Sequence, residues 1–473
     1  MSLTKTVGLF AGTTLALTGA AFGSTEADND ALQQIADLKK QVAELKEQNG
    51  QNWLTEQRAT EIKGLVQDVL ADADTRASLQ GGGSTAGYDN GFFISSADGN
   101  FRLNINGGAQ MRWTLNHRDE QTQYEQTTQW GFQSRHANVM LTGHIVDPSW
   151  KYNVSFGFWD ATGDYNGGAS AVPGAIDGGQ ATLTDWWAMK DFGGWYLKAG
   201  QFVAPFSRER LMSDYGMQFV DRSNSAYVFG LGRTQGIEAG FQGDMYRAAF
   251  AYSDDLGPDS PSQNNGFIPG VNNSPMNNIA LSGRFEVKCA GTWSQFEHQQ
   301  SFRGEEWGFL FGIGGAWMNG RNNYVSGSSG GGDSYDLCVD ATADFGGWNL
   351  YGAFFYAGGN DYAAANSGNT DLWGFQVQGG FFINDDMEIV ARYEYGDMSD
   401  LDFLGGVWDQ DRQSVLTLGF NWYFAKNRAK WQTDWSYDFQ GMGAFTVGGN
   451  GWYNDTATAE GQWVFRTALT VNF

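Results

Sequence analysis

Proline, histidine and cysteine are all scarce in this 473-residue chain, at 7, 4 and 2 residues. Lysine and arginine number 29 against 53 acidic residues, a formal net charge of −24, which excludes a nucleic-acid partner. Two cysteines cannot build a disulfide framework. In strand alternation Cys289 falls with Phe285 and Val287 but Cys338 with Asp336 and Asp340, so the two point oppositely and are expected to stay unpaired. The histidines His117, His136, His144 and His298 show no H-E-x-x-H spacing and no cysteine partner, so no metal is expected. No segment reaches the ~20 apolar residues that a membrane-spanning helix needs.

Other motifs are equally thin. Gly327-Ser328-Ser329-Gly330-Gly331 fits G-x-S-x-G, but in a polar glycine-rich loop rather than a strand–turn–helix, so no catalytic residue is assigned. Gly230-Leu231-Gly232-Arg233 lacks the third glycine and the helix of a dinucleotide site, and no cofactor is expected.

What is abundant points one way. Glycine reaches 66 residues and aromatics 15%. Disorder depletes aromatics, whereas a transmembrane β-barrel uses aromatic girdles and glycine-rich loops together. The N-terminus fits export to that location. One positive charge in Met1–Lys5, an apolar or small-residue run over Val7–Ala21, and Ala21-Phe22-Gly23 as a small-x-small cut predict a signal peptide at 1–23. No cysteine stands at the cut to carry a lipid anchor.

Residues 28–78, within a segment 24–80 assigned to one domain, differ in composition from everything after them. Ala31, Ile35, Leu38, Val42, Leu45 and Asn49 alternate spacings of four and three, a heptad stripe, and Ile62, Leu65 and Val69 begin another after a phase slip near Trp53. No neighbouring segment of helical character offers a packing partner, so a periplasmic α-helical coiled coil is expected, followed by a linker at 81–99 beginning with Gly81-Gly82-Gly83-Ser84.

From residue 100 the period becomes two. In the last segment Trp463, Phe465, Thr467, Leu469, Val471 and Phe473 alternate with Val464, Arg466, Ala468, Thr470 and Asn472. Sixteen such segments can be marked across 100–473, an even number, as an antiparallel barrel requires. Odd-numbered connections are long and polar, and even-numbered ones are tight, as at Gly243-Asp244 or Gly346-Gly347. A soluble sandwich gives no reason for that alternation. One connection breaks the rule: 289–306 is long where a tight turn belongs, either a miscounted strand or an excursion at the periplasmic end. The fold expected is therefore an all-β transmembrane barrel of sixteen antiparallel strands with an N-terminal α-helical coiled coil, in contact with outer-membrane lipid.

The longest loop that carries chemistry is 204–233. Its Leu211, Phe219 and Val220 are expected to be buried by folding into the lumen, which would bring Arg208, Arg210 and Arg222 to a constriction, as rings of charge do in pores. The same arginines could instead clamp the loop through Glu209, Asp214 and Asp221. Lys198 is a further candidate on the wall. Lys198, Arg392, Lys430 and Arg466 share lumen parity with Glu388, Glu394, Asp434 and Asp438, so the lumen reads as mixed in charge.

The stretch from Leu197-Lys198-Ala199-Gly200-Gln201-Phe202 through Ala204-Pro205-Phe206-Ser207-Arg208-Glu209, then Gln218-Phe219-Val220-Asp221-Arg222-Ser223, resembles the phosphate-selective porin O and P family. Gly143-His144-Ile145-Val146-Asp147-Pro148 is similar to that family's second hairpin. The resemblance implies a homotrimeric outer-membrane porin passing small ions and solutes, with anion or phosphate preference open. The alternative from another class is a tether, with the barrel as anchor and the helix reaching peptidoglycan.

Overall fold

The computed structural model describes residues 26–48, 63–67, 84–89, 91–118, 127–159, 180–253, 279–322, 331–360, 369–399, 412–440, 448–452 and 461–473. The chain divides into two compact units, Met1–Gly83 and Ser84–Phe473. The expected signal peptide and the G-x-S-x-G loop lie outside or almost outside the described residues.

In the first unit, α1 spans Glu26–Gln48. Its Ile35, on the heptad stripe, is 49% exposed.

The second unit is a closed barrel. Two short strands, β1 (Thr85–Tyr88) and β2 (Phe92–Ser95), precede sixteen long ones: β3 (Arg102–His117), β4 (Thr128–His144), β5 (Trp150–Trp159), β6 (Gln180–Asp191), β7 (Trp195–Val203), β8 (Arg233–Gln242), β9 (Tyr246–Ser253), β10 (Ile279–Ala290), β11 (Gly308–Asn322), β12 (Gly331–Asp344), β13 (Trp348–Asn360), β14 (Asn369–Phe382), β15 (Met387–Asp397), β16 (Arg412–Tyr423), β17 (Ala429–Asp438) and β18 (Trp463–Asn472). Each pairs antiparallel with its sequence neighbours, and β18 closes on β3 from Trp463↔His117 to Asn472↔Gly108. All sixteen segments marked from the two-residue period are strands.

The stretch 81–99, read as linker, carries β1 and β2. β2 pairs the lower end of β3, Phe92 opposite Ile105, just beyond the reach of β18. Phe92 meets the C-terminal Phe473 edge-to-face at 6.3 Å.

Register puts one chemistry on each face. Between β17 and β18 the outward pairs are Trp431↔Leu469 and Trp435↔Phe465, and the inward ones Lys430↔Thr470 and Asp434↔Arg466. Leu197, Ile237, Phe250, Phe285, Leu350, Val377, Ile389 and Leu418 stand exposed on the outside. Burying one such side chain is worth ~1.5–3 kcal/mol, and a contiguous apolar belt on this scale marks a surface that is covered by something other than water. Lipid is the solvent this face requires. No helix among the described residues is long and apolar enough to cross a membrane; the strands do so.

The tight-turn rim carries stacked aromatics, Phe192 on Trp195 at 4.0 Å and Phe345 on Trp348 at 3.7 Å, a girdle arrangement. The turn at 345–347 needs φ values of 64° at Gly346 and 133° at Gly347, which glycine adopts without strain. The irregular 289–306 connection is not a miscounted strand: after β10 the chain forms a short 3-10 turn, Ser294–Glu297, and turns into the lumen before β11. Cys289 is exposed and Cys338 buried, both free thiols.

Candidate pore constriction

The segment 204–232 between β7 and β8 enters the barrel because its apolar side chains have a built socket. Phe206, Phe229 and Leu231 join one buried cluster with Ala316, Ala353, Phe355 and Ala357 of the wall, and Phe229 stacks on Phe355 at 6.0 Å. Small inward residues make the room: a Cβ on Gly314 would sit 2.2 Å from the Phe206 carbonyl oxygen. Two short helices order the segment, α2 (Arg208–Leu211) and α3 (Asn224–Val228). Ser223 caps α3, accepting from the Ala226 amide at 2.9 Å while donating to Glu209 at 2.8 Å.

Charge then fixes the loop to the wall. Asp221 is fully enclosed and takes ion pairs from Arg112, from Arg135 at 2.7 Å and from Arg466 at 3.9 Å. Burial alone would raise its carboxyl, but these guanidiniums outweigh burial and hold it well below the usual carboxylate range. Lys430 donates to the carbonyls of Tyr215 and Met217 at 2.8 and 2.7 Å, and the Val220 amide donates to Asp434 at 3.0 Å.

The 291–307 excursion reaches the same loop from the tight-turn end. Arg208 donates to the carbonyls of Phe296 and His298 at 2.9 and 3.0 Å. The Gln299 amide donates to Gly216 at 3.0 Å, and Gln300 donates to Met217 at 2.8 Å. Two segments from opposite ends thus interlock into one bar across the lumen.

The sequence candidates separate in this arrangement. Arg208 and Arg210 are buried; Arg210 bonds the Leu231 carbonyl and lies over Tyr227. Arg222 pairs with Asp214 and donates to the Glu209 and Met212 carbonyls. These contacts are those of clamps. Lys198 stands apart on β7, paired with Glu238 at 2.8 Å. Phe219 and Val220 are buried as expected, but Leu211 is 42% exposed: the loop packs by Phe206, Phe229 and Leu231 instead. The anchor formed by Asp221 with Arg112 and Arg135 was not read from the sequence; the lumen parity of Arg112 beside Gln110 was its one signal.

Exposure locates the passage. On β14 to β18 the inward Gln376, Glu388, Arg392, Lys430 and Asp434 are covered. On β5 to β9 the inward Asn153, Trp187, Tyr196, Lys198 and Arg247 are partly exposed, while Ser155, Thr184, Gln201, Thr234 and Glu238 among them are buried. Among the described residues the bar therefore covers β14 to β18 and leaves a strip of the β5 to β9 wall exposed.

The result is a closed antiparallel barrel with a polar lumen narrowed by an inward loop. Residues 105–267 match the model of the phosphate-selective porin O and P family. The porin match spans β3 to β9 and includes the whole inward loop. Similar solved structures include an outer-membrane-expressed OmpT of Vibrio cholerae (11% identity, 79% of this chain, 98% of that one, TM-score 0.49). Others are the outer membrane channel DcaP of Acinetobacter baumannii (10%, 78%, 97%, 0.49) and OmpF of Salmonella typhi in complex with daunomycin (11%, 82%, 100%, 0.48). No curated protein matches the chain.

Proposed function

We propose that this chain is an outer-membrane porin, a channel and not an enzyme, through which small hydrophilic solutes and ions diffuse passively, with a modest preference for anions and no tight phosphate site. The observation that carries the reading is the exposed strip of the β5 to β9 wall beside a lumen bar. A plugged anchor would have no use for partly exposed polar side chains there. The anion preference follows from how charge is layered on that wall. The Lys198 side chain is 15% exposed and its partner Glu238 3%; Arg247 is 32% exposed and its partner Glu286 3%. A permeant ion meets the cation of each pair first, and charges within a Debye length of ~8 Å outweigh distant loop acids. Each cation already shares a carboxylate, so tight phosphate capture is not expected.

The channel is read as a homotrimer whose tight-turn end and helix face the periplasm. Reversal potentials under a salt gradient test selectivity: Lys198→Gln should move the potential towards cation preference. A wild type that already prefers cations strongly defeats the anion reading, and absence of stepwise conductance defeats the channel, leaving the tether.

A further inference from the structure

We propose that the exposed strip of the β5 to β9 wall is a sliding site for organic anions with a planar apolar body, the aryl carboxylate class; this rests on the channel reading above. Three observations converge. First, the exposed cations are embedded in aromatic rings. The Lys198 ammonium lies 4.3 Å from the Phe202 ring and 5.8 Å from that of Trp187. Nearer the tight-turn end, Arg247 lies 4.8 Å from the Trp293 ring.

Second, there is open floor beside Trp187. On the β7 side the residue opposite it is Gly200, and the next across on β8 is Gly236, so on that side no cross-strand partner projects a side chain beside the indole; Asn153 on β5 flanks the other side. Trp187 and Trp293 are both partly exposed. Third, the loop carries Leu211, an apolar side chain that is exposed rather than packed into the socket of Phe206, Phe229 and Leu231.

A phosphate-selective site gathers several donors around one small anion and has no use for apolar surface. Here each cation is shared with a carboxylate and flanked by a ring. In a wet lumen such a charge alone attracts an anion weakly. An aryl carboxylate gains twice, its carboxylate at the ammonium and its ring on Trp187. Successive cation–ring pairs at Lys198 and Arg247 give it a second stop along the wall.

The test uses the full-length protein in planar bilayers carrying KCl, with sodium benzoate, acetate or phosphate added to one side. Benzoate should reduce the KCl current reversibly, at concentrations about tenfold below those of acetate. Trp187→Ala should erase that difference while KCl conductance persists, and Trp187→Phe should keep most of it. Lys198→Gln should weaken block by benzoate and acetate alike, a second reading independent of the tryptophan. Equal potency of benzoate and acetate on a conducting wild type overturns the proposal and leaves the channel standing, as does stronger block by phosphate. A wild type without KCl conductance overturns the channel reading, and this inference with it.

Discussion

Asp221 ties the loop to the barrel wall, since Arg112, Arg135 and Arg466 all converge on it inside the barrel. Removing one member of a buried pair leaves uncompensated charge and costs ~3–5 kcal/mol. Asp221→Ala should therefore release the loop: thermal unfolding followed by circular dichroism should shift down, and single-channel current should become larger and noisier. A quiet channel of unchanged size would show that the apolar socket alone suffices. His298, on the excursion, behaves differently. Burial pushes its imidazole down to about 4, the Gln300 carbonyl opposing this, with Arg208, Lys426 and Lys430 adding to it. The released excursion binds a proton near pH 6.5 and the docked one does not, so docking is complete above that pH. Docking weakens as pH falls and loses nothing further below about 4. Channel noise should rise between pH 7 and pH 4.5, and His298→Gln should flatten the response; an identical response in both proteins removes His298 as the cause.

At the scale of elements, the strands were legible and the lumen was only half so. Alternation over ten residues is a local signal with a fixed period, and loop length alternates because hairpins at one end are tight and at the other free. The inward loop was legible from Phe219 and Val220, apolar residues that a solvated loop has no use for. The fate of its arginines was not, because whether Arg208 meets an ion or a carbonyl depends on where Phe296 and His298 lie, 88 and 90 residues away. Likewise β1 and β2 fell within a glycine-rich stretch whose pairing is fixed by the distant ends of β3 and β18. The irregular connection at 289–306 signalled an excursion without revealing its target. Its contacts with Gly216, Met217 and Arg208 make it the brace of the bar. Replacing 291–307 by a two-residue Asn-Gly turn, of the type that suits hairpins, should leave the barrel closed and raise single-channel conductance. Unchanged conductance would mean that the wall alone, through Lys430, Gln432 and Asn421, holds the loop in place.

At the scale of the whole molecule, two units of unlike physics share one chain. The barrel closes by its own hydrogen bonds, β18 on β3, with β2 extending the seam. The helix carries a heptad stripe on which Ile35 is exposed, and such a stripe suits pairing with other copies. Its seam has Ile35 and Val42 at one position and Leu38 and Leu45 at the other, a pattern that favours two strands in model coiled coils. The barrel's outward face is far larger than a seam of this length, so barrel contacts should set a trimer and the helix should follow. Deleting 28–78 then gives a sharp expectation. Stepwise conductance and a trimeric mass in detergent should both survive, while envelope attachment weakens. Loss of the trimer with conductance retained would transfer assembly to the helix. Loss of conductance would instead make the helix part of the channel itself.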